Sequence, residues 1–340
     1  MDTEFHYWMT GIIAKAAGFE ESEAKTIAYA SEYVDENDRS IKVLDRSNGE
    51  VYENFISQTM NILKPKSELM RIYPIFHFLP GDPQADTARR RDGKMHILNT
   101  TPNNENANKL MDEAFGADEE LRLYRIGIAT HAFADTWAHQ NFVGWYDYFN
   151  NIGLDVKPDI GHADGEHHPD WPAHRWVDER LVDAQLDNRH RFLSAAEAIF
   201  KRYCAYQASI NREDKSAEWE ALETRLDDAM GKGFTGSENF YKEERIEKYK
   251  ALLGDGWEDF DEMVWFDEAI ETEVRGLRDP GDGLTALFTL FHDKYYWKEG
   301  LDKRATEWFR FQTSVKAHEM KAVEILAPTF ARMGIMLGNA

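Results

Sequence analysis

The sequence contains a single cysteine, Cys204, among its 340 residues. One cysteine excludes an internal disulfide and a thiolate-bound metal cluster. Long apolar runs are also absent, since no stretch approaches the roughly 20 consecutive apolar residues that a transmembrane helix needs. The first residues, MDTEFHYWMTG, contain neither a basic start nor an apolar run that ends at a cleavage site. We therefore expect no transmembrane segment, and a protein that is cytoplasmic or is exported without a recognisable signal peptide.

Positive charge is scarce, with 40 Lys and Arg residues against 62 Asp and Glu residues and a formal net charge of −22. Such a surface repels nucleic acid at long range, although bound metal ions can reverse the sign locally. The charge therefore disfavours nucleic acid as a partner but leaves it open. The sequence also lacks a phosphate-binding glycine loop, a nucleophile elbow and a dinucleotide fingerprint.

Helical periodicity recurs along the chain, whereas alternating apolar and polar runs are scarce. We therefore predict an all-α fold with residues 1–340 in a single helical domain. Ser22 is placed to cap one helix, and Asp118 to cap a long one. The predicted helices cover about residues 3–17, 24–36, 52–63, 119–143, 174–211, 215–231, 239–253, 257–277, 283–296 and 303–333.

The placement of histidine is the clearest functional signal, because seven of the twelve histidines lie between residues 131 and 190. His131, Asp135 and His139 form an H-x3-D-x3-H motif inside the long predicted helix. Positions i, i+4 and i+8 share one helical face, and imidazole and carboxylate at that spacing suit zinc and similar divalent ions. The alternative is a stripe of hydrogen-bonded core histidines. A buried aspartate on the same face needs a cation or a partner, which favours the metal site.

Further candidate ligands are spread over the first 180 residues, and each has an ordinary structural explanation when taken alone. Asp35 follows Glu32 by three residues, so either carboxylate could face the site. His174 and Asp178 form an H-x3-D pair, which we prefer over His162 or His168 from the histidine-rich segment GHADGEHHPD. The remaining candidates are His6, near the chain start, and His77, in the segment FHFLPGDP.

The order of these residues resembles that of the zinc-dependent phospholipase C family, whose fold is shared with the single-strand-specific zinc nucleases. FHYWMTGIIAKAA is similar to the first helix of that family, FHFLPGDP to its His-Phe loop, and GIATHAFADTWAHQ to its central ligand helix. The resemblance covers about residues 1–180. It implies a multi-helix bundle whose metal-site half is 1–180, with 181–340 as additional helices of unknown role.

The resemblance further implies up to three zinc ions. One would be held by Asp35, His77, His131 and Asp135. A second would be held by His139, His174 and Asp178. The third would take His6, a shared oxygen of Asp135 and the N-terminal amine or carbonyl of the chain. Secreted members of the family use an N-terminal tryptophan at that last position, whereas this sequence begins with Met1 and Asp2.

We therefore predict a zinc-dependent hydrolase of phosphate esters, similar to phospholipase C, that activates a water molecule at clustered metal ions. Asp35 is the candidate catalytic residue, because it could orient that water or act as its base. The expected substrate is a phosphodiester such as a phospholipid. The alternatives are a single-strand nuclease that uses the same site, and a non-catalytic metal-binding or effector protein.

Overall fold

The structure is a computed structural model that describes residues 1–59, 66–152, 157, 159–274 and 293–337. Helices form most of it, in agreement with the periodicity of the sequence. The α-helices in the described residues are α1 Thr10–Ala16, α2 Glu21–Glu36, α3 Lys66–Leu69, α4 Glu105–Phe115, α5 Glu119–Ala138, α6 Asn188–Ser209, α7 Trp219–Met230, α8 Lys242–Leu253, α9 Met263–Ala269 and α10 Glu307–Arg332. None of the described helices is long and apolar enough to span a membrane.

Helix α5 lies at the centre of the fold. Its residues from Tyr124 to Ala138 are buried on every side, because α2, α4, α6 and α10 all pack against it. Gly127 allows α2 to approach closely, since a Cβ at this position would lie only 2.5 Å from the carbonyl oxygen of Ile27. The helix ends at Ala138, five residues before the predicted end at 143, and this places His139 at its C-cap.

The all-α prediction is wrong, because the described residues also form β-sheets and the fold is mixed α/β. A four-stranded sheet has the order β2-β1-β8-β7, in which β1 pairs parallel with β8 and the other pairs are antiparallel. Two further sheets have two strands each. The strands are β1 Lys42–Leu44, β2 Val51–Glu53, β3 Tyr146–Asp147, β4 Asp159–Ile160, β5 Arg175–Val177, β6 Gln185–Asp187, β7 Ile270–Glu273 and β8 Lys294–Trp297.

The strands are short, which explains why the sequence pattern did not indicate these sheets. A strand of two to four residues is too short to show a period-2 pattern, and β1 pairs with a strand some 250 residues further along the chain. The helix predicted at 174–211 begins only at Asn188, after β5 and β6. The segment predicted as a helix at 52–63 begins as β2, and its residues 60–63 lie outside the described part. Most of the helix predicted at 283–296 also lies outside it, and its end forms β8.

Two π-helical segments replace ordinary helical turns near the centre of the molecule. Glu4–Met9 precedes α1, and Tyr73–His77 includes the first two residues of the segment FHFLPGDP. The hydroxyl of Thr10 donates to the carbonyl oxygen of Phe5 at 3.0 Å, which satisfies a carbonyl of the first segment. Short π-helical turns are frequent at functional sites, and each of these two carries a candidate ligand.

The C-terminal part of the chain holds the first segment in place through a buried ion pair. Arg245 of α8 donates from Nε to Glu4 Oε2 at 2.6 Å and from Nη2 to Glu4 Oε1 at 2.8 Å. Both side chains are fully buried. Asn239 also donates to Glu4, at 3.1 Å. Residues 181–340, predicted as additional helices of unknown role, therefore also supply strands and this support for the N-terminal segment.

Candidate metal centre

Four structural elements, of which α5 is the central one, bring most of the predicted ligands together. His131 and Asp135 lie one turn apart on the buried part of the helix, and His139 follows its last residue. The neighbouring α2 and the two π-helical segments supply the others. The predicted ligands that meet here are His6, Asp35, His77, His131, Asp135 and His139.

Four ligand atoms form a compact set around one point. His131 Nε2 lies 3.1 Å from His77 Nδ1 and 3.3 Å from Asp135 Oδ2. Asp35 Oδ1 lies 3.6 Å from His77 Nδ1 and 3.7 Å from His131 Nε2. Four ligands of a tetrahedral zinc ion, each at about 2.0–2.1 Å from the metal, lie roughly 3.3 Å from one another. These separations therefore match the dimensions of a tetrahedral zinc site.

The other oxygen of Asp135 faces a second group of possible ligands, which consists of His6 and the amine of Met1. This oxygen, Oδ1, lies 3.2 Å from His6 Nε2 and accepts a hydrogen bond from the amine of Met1. The ring of His6 stacks on that of His131, with 3.8 Å between the ring centroids. Because its two oxygens serve two separate groups, Asp135 has the geometry of a bridging carboxylate between neighbouring ions.

The third group contains one predicted ligand and two residues from the loop that precedes β5. His139 Nε2 lies 3.1 Å from Asp170 Oδ1, and His162 Nε2 lies 3.4 Å from Asp170 Oδ2. One ligand atom from each of these three residues lies within 4.8 Å of the other two. The amine of Met1 lies 3.3 Å from Asp170 Oδ1, which connects this group to the second.

Four of the histidines each form a hydrogen bond from one ring nitrogen to a backbone carbonyl oxygen. A ring nitrogen that donates to a carbonyl carries the proton, so the lone pair of the other nitrogen is left for a metal. His6 is the exception, because neither of its buried ring nitrogens has a hydrogen bond. The four pairs are His77 Nε2 with Ser57 O at 2.9 Å, His131 Nδ1 with Ser31 O at 2.8 Å, His139 Nδ1 with His77 O at 2.8 Å, and His162 Nδ1 with Glu166 O at 2.7 Å.

The protonation states of Asp135 and His6 are those that metal binding requires. Burial opposes ionisation of Asp135, but His139 and the amine of Met1 hold the pKa of this carboxyl well below its usual range. Burial, together with His131 and the amine of Met1, lowers the pKa of His6 to about 3. Asp135 is therefore an anion and His6 is a neutral imidazole near neutral pH, as metal ligands must be.

The protonated amine of Met1 is a cation that lies among the carboxylates of this centre. Burial opposes its charge, but Asp135 and Asp170 together raise the pKa of the amine to about 11. The buried carboxylates therefore favour a positive charge at this point of the centre.

A cavity of about 660 Å³ opens beside the ligand groups. Its lining includes seven carboxyl groups and, among the described residues, no Lys or Arg side chain. Several of these carboxyls are almost completely buried, and such charges are costly unless cations neutralise them. The donor set of imidazole and carboxylate therefore fits divalent metal ions. The seven are Asp2, Glu32, Asp35, Glu36, Asp135, Glu166 and Asp170.

His174 and Asp178 do not join these groups. Residues Arg175–Val177 form β5, so the helical face on which the H-x3-D argument depended does not exist. The Nε2 of His174 lies 2.9 Å from Nδ1 of His168, and Asp178 forms a buried ion pair with Arg180 at 2.6 Å. Their assignment to the second zinc ion does not agree with this geometry, and His168 is not part of the centre either.

Glu32, the alternative to Asp35, lies in the cavity wall outside the ligand groups. The hydroxyl of Thr3 donates to its Oε1 at 2.6 Å, while its Oε2 is buried without a hydrogen bond. Burial raises the pKa of Glu32 well above its ordinary value, and the nearby Asp35 adds to the effect. Of Glu32 and Asp35, it is Asp35 that lies within 4 Å of His77 and His131.

Sequence reasoning missed Asp170, and it gave His162 only as an alternative. The segment GHADGEHHPD is rich in possible ligands, but its path is irregular. It contains a short 3-10 helix at Ala163–Gly165, followed by Glu166 with a φ of 47°. No regular spacing connects His162 with Asp170, so only the density of histidine and aspartate could have indicated the loop.

Comparison with known proteins supplies a family but no activity. A family model described as a family of unknown function, DUF6765, matches residues 1–326. Neither the curated proteins nor the solved structures contain a match to the chain.

Proposed function

We propose that this chain, which belongs to the DUF6765 family of unknown function, binds up to three zinc ions and hydrolyses phosphate esters. The observation that carries the proposal is the bridging geometry of Asp135, whose two oxygens face two ligand groups. Clustered divalent ions supply an activated water molecule and neutralise the charge of a phosphate during in-line displacement.

Asp35 is the catalytic residue that the geometry favours. It borders the cavity and its side chain is 29% exposed, whereas that of Asp135 is 1% exposed. A carboxylate that both contacts the ligand histidines and meets the cavity can orient a water molecule and accept its proton. Gln58 donates to Asp35 Oδ1 at 3.3 Å, which helps to hold the carboxylate in this orientation.

The charge of the cavity favours a substrate with a single phosphodiester, such as a phospholipid, over a nucleic acid. A polyanion needs Lys or Arg side chains along its path, and the described lining residues include neither. The carboxyl groups of the wall would repel phosphates other than the one at the metal ions. The cavity also supports an enzyme over a purely structural metal site, because the second and third ligand groups each offer three described donors, which leaves a zinc ion an open position.

Elemental analysis of the purified chain, combined with hydrolysis assays, tests the proposal. The substrates are bis(p-nitrophenyl) phosphate, phosphatidylcholine vesicles and single-stranded DNA. We expect bound zinc, hydrolysis of the first two that a chelator abolishes, and loss of turnover in Asp35→Asn. A chain that binds no divalent metal would overturn the proposal, as would a metal-loaded chain that hydrolyses no phosphate ester. Faster cleavage of DNA than of the other substrates would instead identify a nuclease.

A further inference from the structure

The side-chain donors in the cavity wall are almost all occupied within the protein. Gln58 donates to Asp35 at 3.3 Å, and the hydroxyl of Tyr73 donates to the carbonyl oxygen of Thr59 at 2.6 Å. The hydroxyl of Thr3 donates to a carboxylate as well. The described lining residues include no Lys or Arg. A phosphate oxygen that points away from the metal ions therefore has few donors available to it.

The histidines in the wall are occupied too, with one exception. His77, His139 and His162 each use one ring nitrogen for a backbone carbonyl and turn the other towards the ligand groups. His167 also lines the cavity, and its side chain is exposed. Within the part of the chain that the structure describes, its ring nitrogens form no hydrogen bond and no ion pair.

The local structure holds His167 beside the third ligand group. Its carbonyl oxygen accepts a hydrogen bond from the backbone N–H of Asp170 at 3.0 Å. Its ring stacks on Trp171, with 6.0 Å between the centroids and 27° between the planes. The imidazole is therefore positioned by its neighbours while its N–H group stays available to a ligand.

We infer that His167 binds the substrate by donating a hydrogen bond from its imidazole to a phosphate oxygen in this cavity. The inference rests on the proposed function for the identity of the substrate. A neutral imidazole already carries one N–H, so the contact does not require protonation of the ring. Loss of a hydrogen bond to a charged group weakens binding by about 10- to 100-fold.

The test compares His167→Phe, which keeps a ring on Trp171 but removes the N–H, with His167→Gln, which keeps a donor. The control is His190→Phe, because His190 is an exposed histidine of α6 that does not line the cavity. Three quantities are measured on zinc-loaded protein: the metal content, the dissociation constant for inorganic phosphate by calorimetry, and the KM and kcat for bis(p-nitrophenyl) phosphate.

We expect His167→Phe to bind phosphate about 10- to 100-fold more weakly and to raise KM more than it lowers kcat, with unchanged metal content. His167→Gln should recover part of the loss, and His190→Phe should match the unmodified chain. Phosphate binding that is equal in His167→Phe and the unmodified chain would overturn the inference. Loss of metal from His167→Phe would overturn it too, because His167 would then be a ligand.

The two proposals can fail separately. If the unmodified chain hydrolyses the diester and His167→Phe does so equally well, the proposed function stands and the role of His167 falls. If the unmodified chain hydrolyses no phosphate ester, the proposed function falls. The calorimetric comparison then still decides whether His167 binds phosphate.

Discussion

Asp135 and His131 lie one helical turn apart on α5, with 3.3 Å between Oδ2 and Nε2, and both side chains are buried. The opposite oxygen of Asp135 faces His6 at 3.2 Å. The amine of Met1 is a cation beside this buried carboxylate, and metal ions at the two groups would stabilise its charge further. Removing the charge of Asp135 is therefore the most direct test of the metal centre.

Asp135→Asn should release metal and abolish hydrolysis together. The amide preserves the shape of the side chain but removes the negative charge and one ligand oxygen. We expect the loss of more than one metal equivalent per chain, because the carboxylate faces two groups. Elemental analysis after gel filtration measures this loss.

The matched control is Asp178→Asn, since the sequence assigned Asp178 to the metals but the structure pairs it with Arg180. Its metal content should equal that of the unmodified chain, whereas its stability should fall because Arg180 loses a buried partner. Full metal content in Asp135→Asn would contradict the bridging role.

His162→Ala should remove about one metal equivalent, and His174→Ala should remove none. His162 reaches the third ligand group through Asp170, whereas His174 contacts His168 outside the centre. Both variants delete an imidazole from the same region of the chain, so each controls for the other. Metal titration monitored by calorimetry should show one fewer binding event in His162→Ala alone. The opposite pattern would restore the assignment made from sequence.

Arg245→Met should destabilise the chain by about 3–5 kcal/mol, because it leaves the carboxylate of Glu4 buried without its partner. Urea unfolding monitored by circular dichroism measures the change. The double variant Glu4→Met with Arg245→Met removes both charges and should recover a large part of the loss. If the single and double variants were equally unstable, packing rather than charge would account for the effect.

The stability of the chain should depend on pH through His318, a buried residue of α10 that faces the second π-helical segment. Burial, together with the charge of Arg125, lowers the pKa of His318 to about 3 from an ordinary value of 6.5. The unfolded chain therefore binds a proton here, below pH 6.5, that the folded chain excludes. Stability falls as the pH decreases through this window.

His318→Gln removes this titration and keeps a donor for the carbonyl oxygen of Ile75, which lies 3.4 Å from His318 Nε2. Between pH 7 and pH 5, the free energy of unfolding should decrease by about 2 kcal/mol more in the unmodified chain than in the variant. Urea unfolding of both chains at the two pH values gives this difference. Parallel decreases would show that His318 is protonated in the folded state.

The local part of the candidate site could be predicted from the sequence, because residues four apart along a helix lie on the same face. His131, Asp135 and His139 therefore needed only a correct helix, and the structure places the first two of them on one. The same argument failed for His174 and Asp178, where a short strand replaced the helix. The positions of His6, Asp35 and His77 followed from resemblance to a family with a known order of ligands and from no local rule.

The sequence by itself indicated helices such as α2, α5 and α10, because 3.6-residue periodicity over three or more turns favours a helix with one buried face. It also determined the central ligand motif, since residues four apart on a helix are neighbours wherever the helix lies. Only the tertiary structure decided that Asp170 and His162 join His139, because an irregular loop has no period from which its path can be calculated. The tertiary structure likewise decided the sheet of β1 and β8, since the hydrogen bonds of such short strands depend on partners far along the chain.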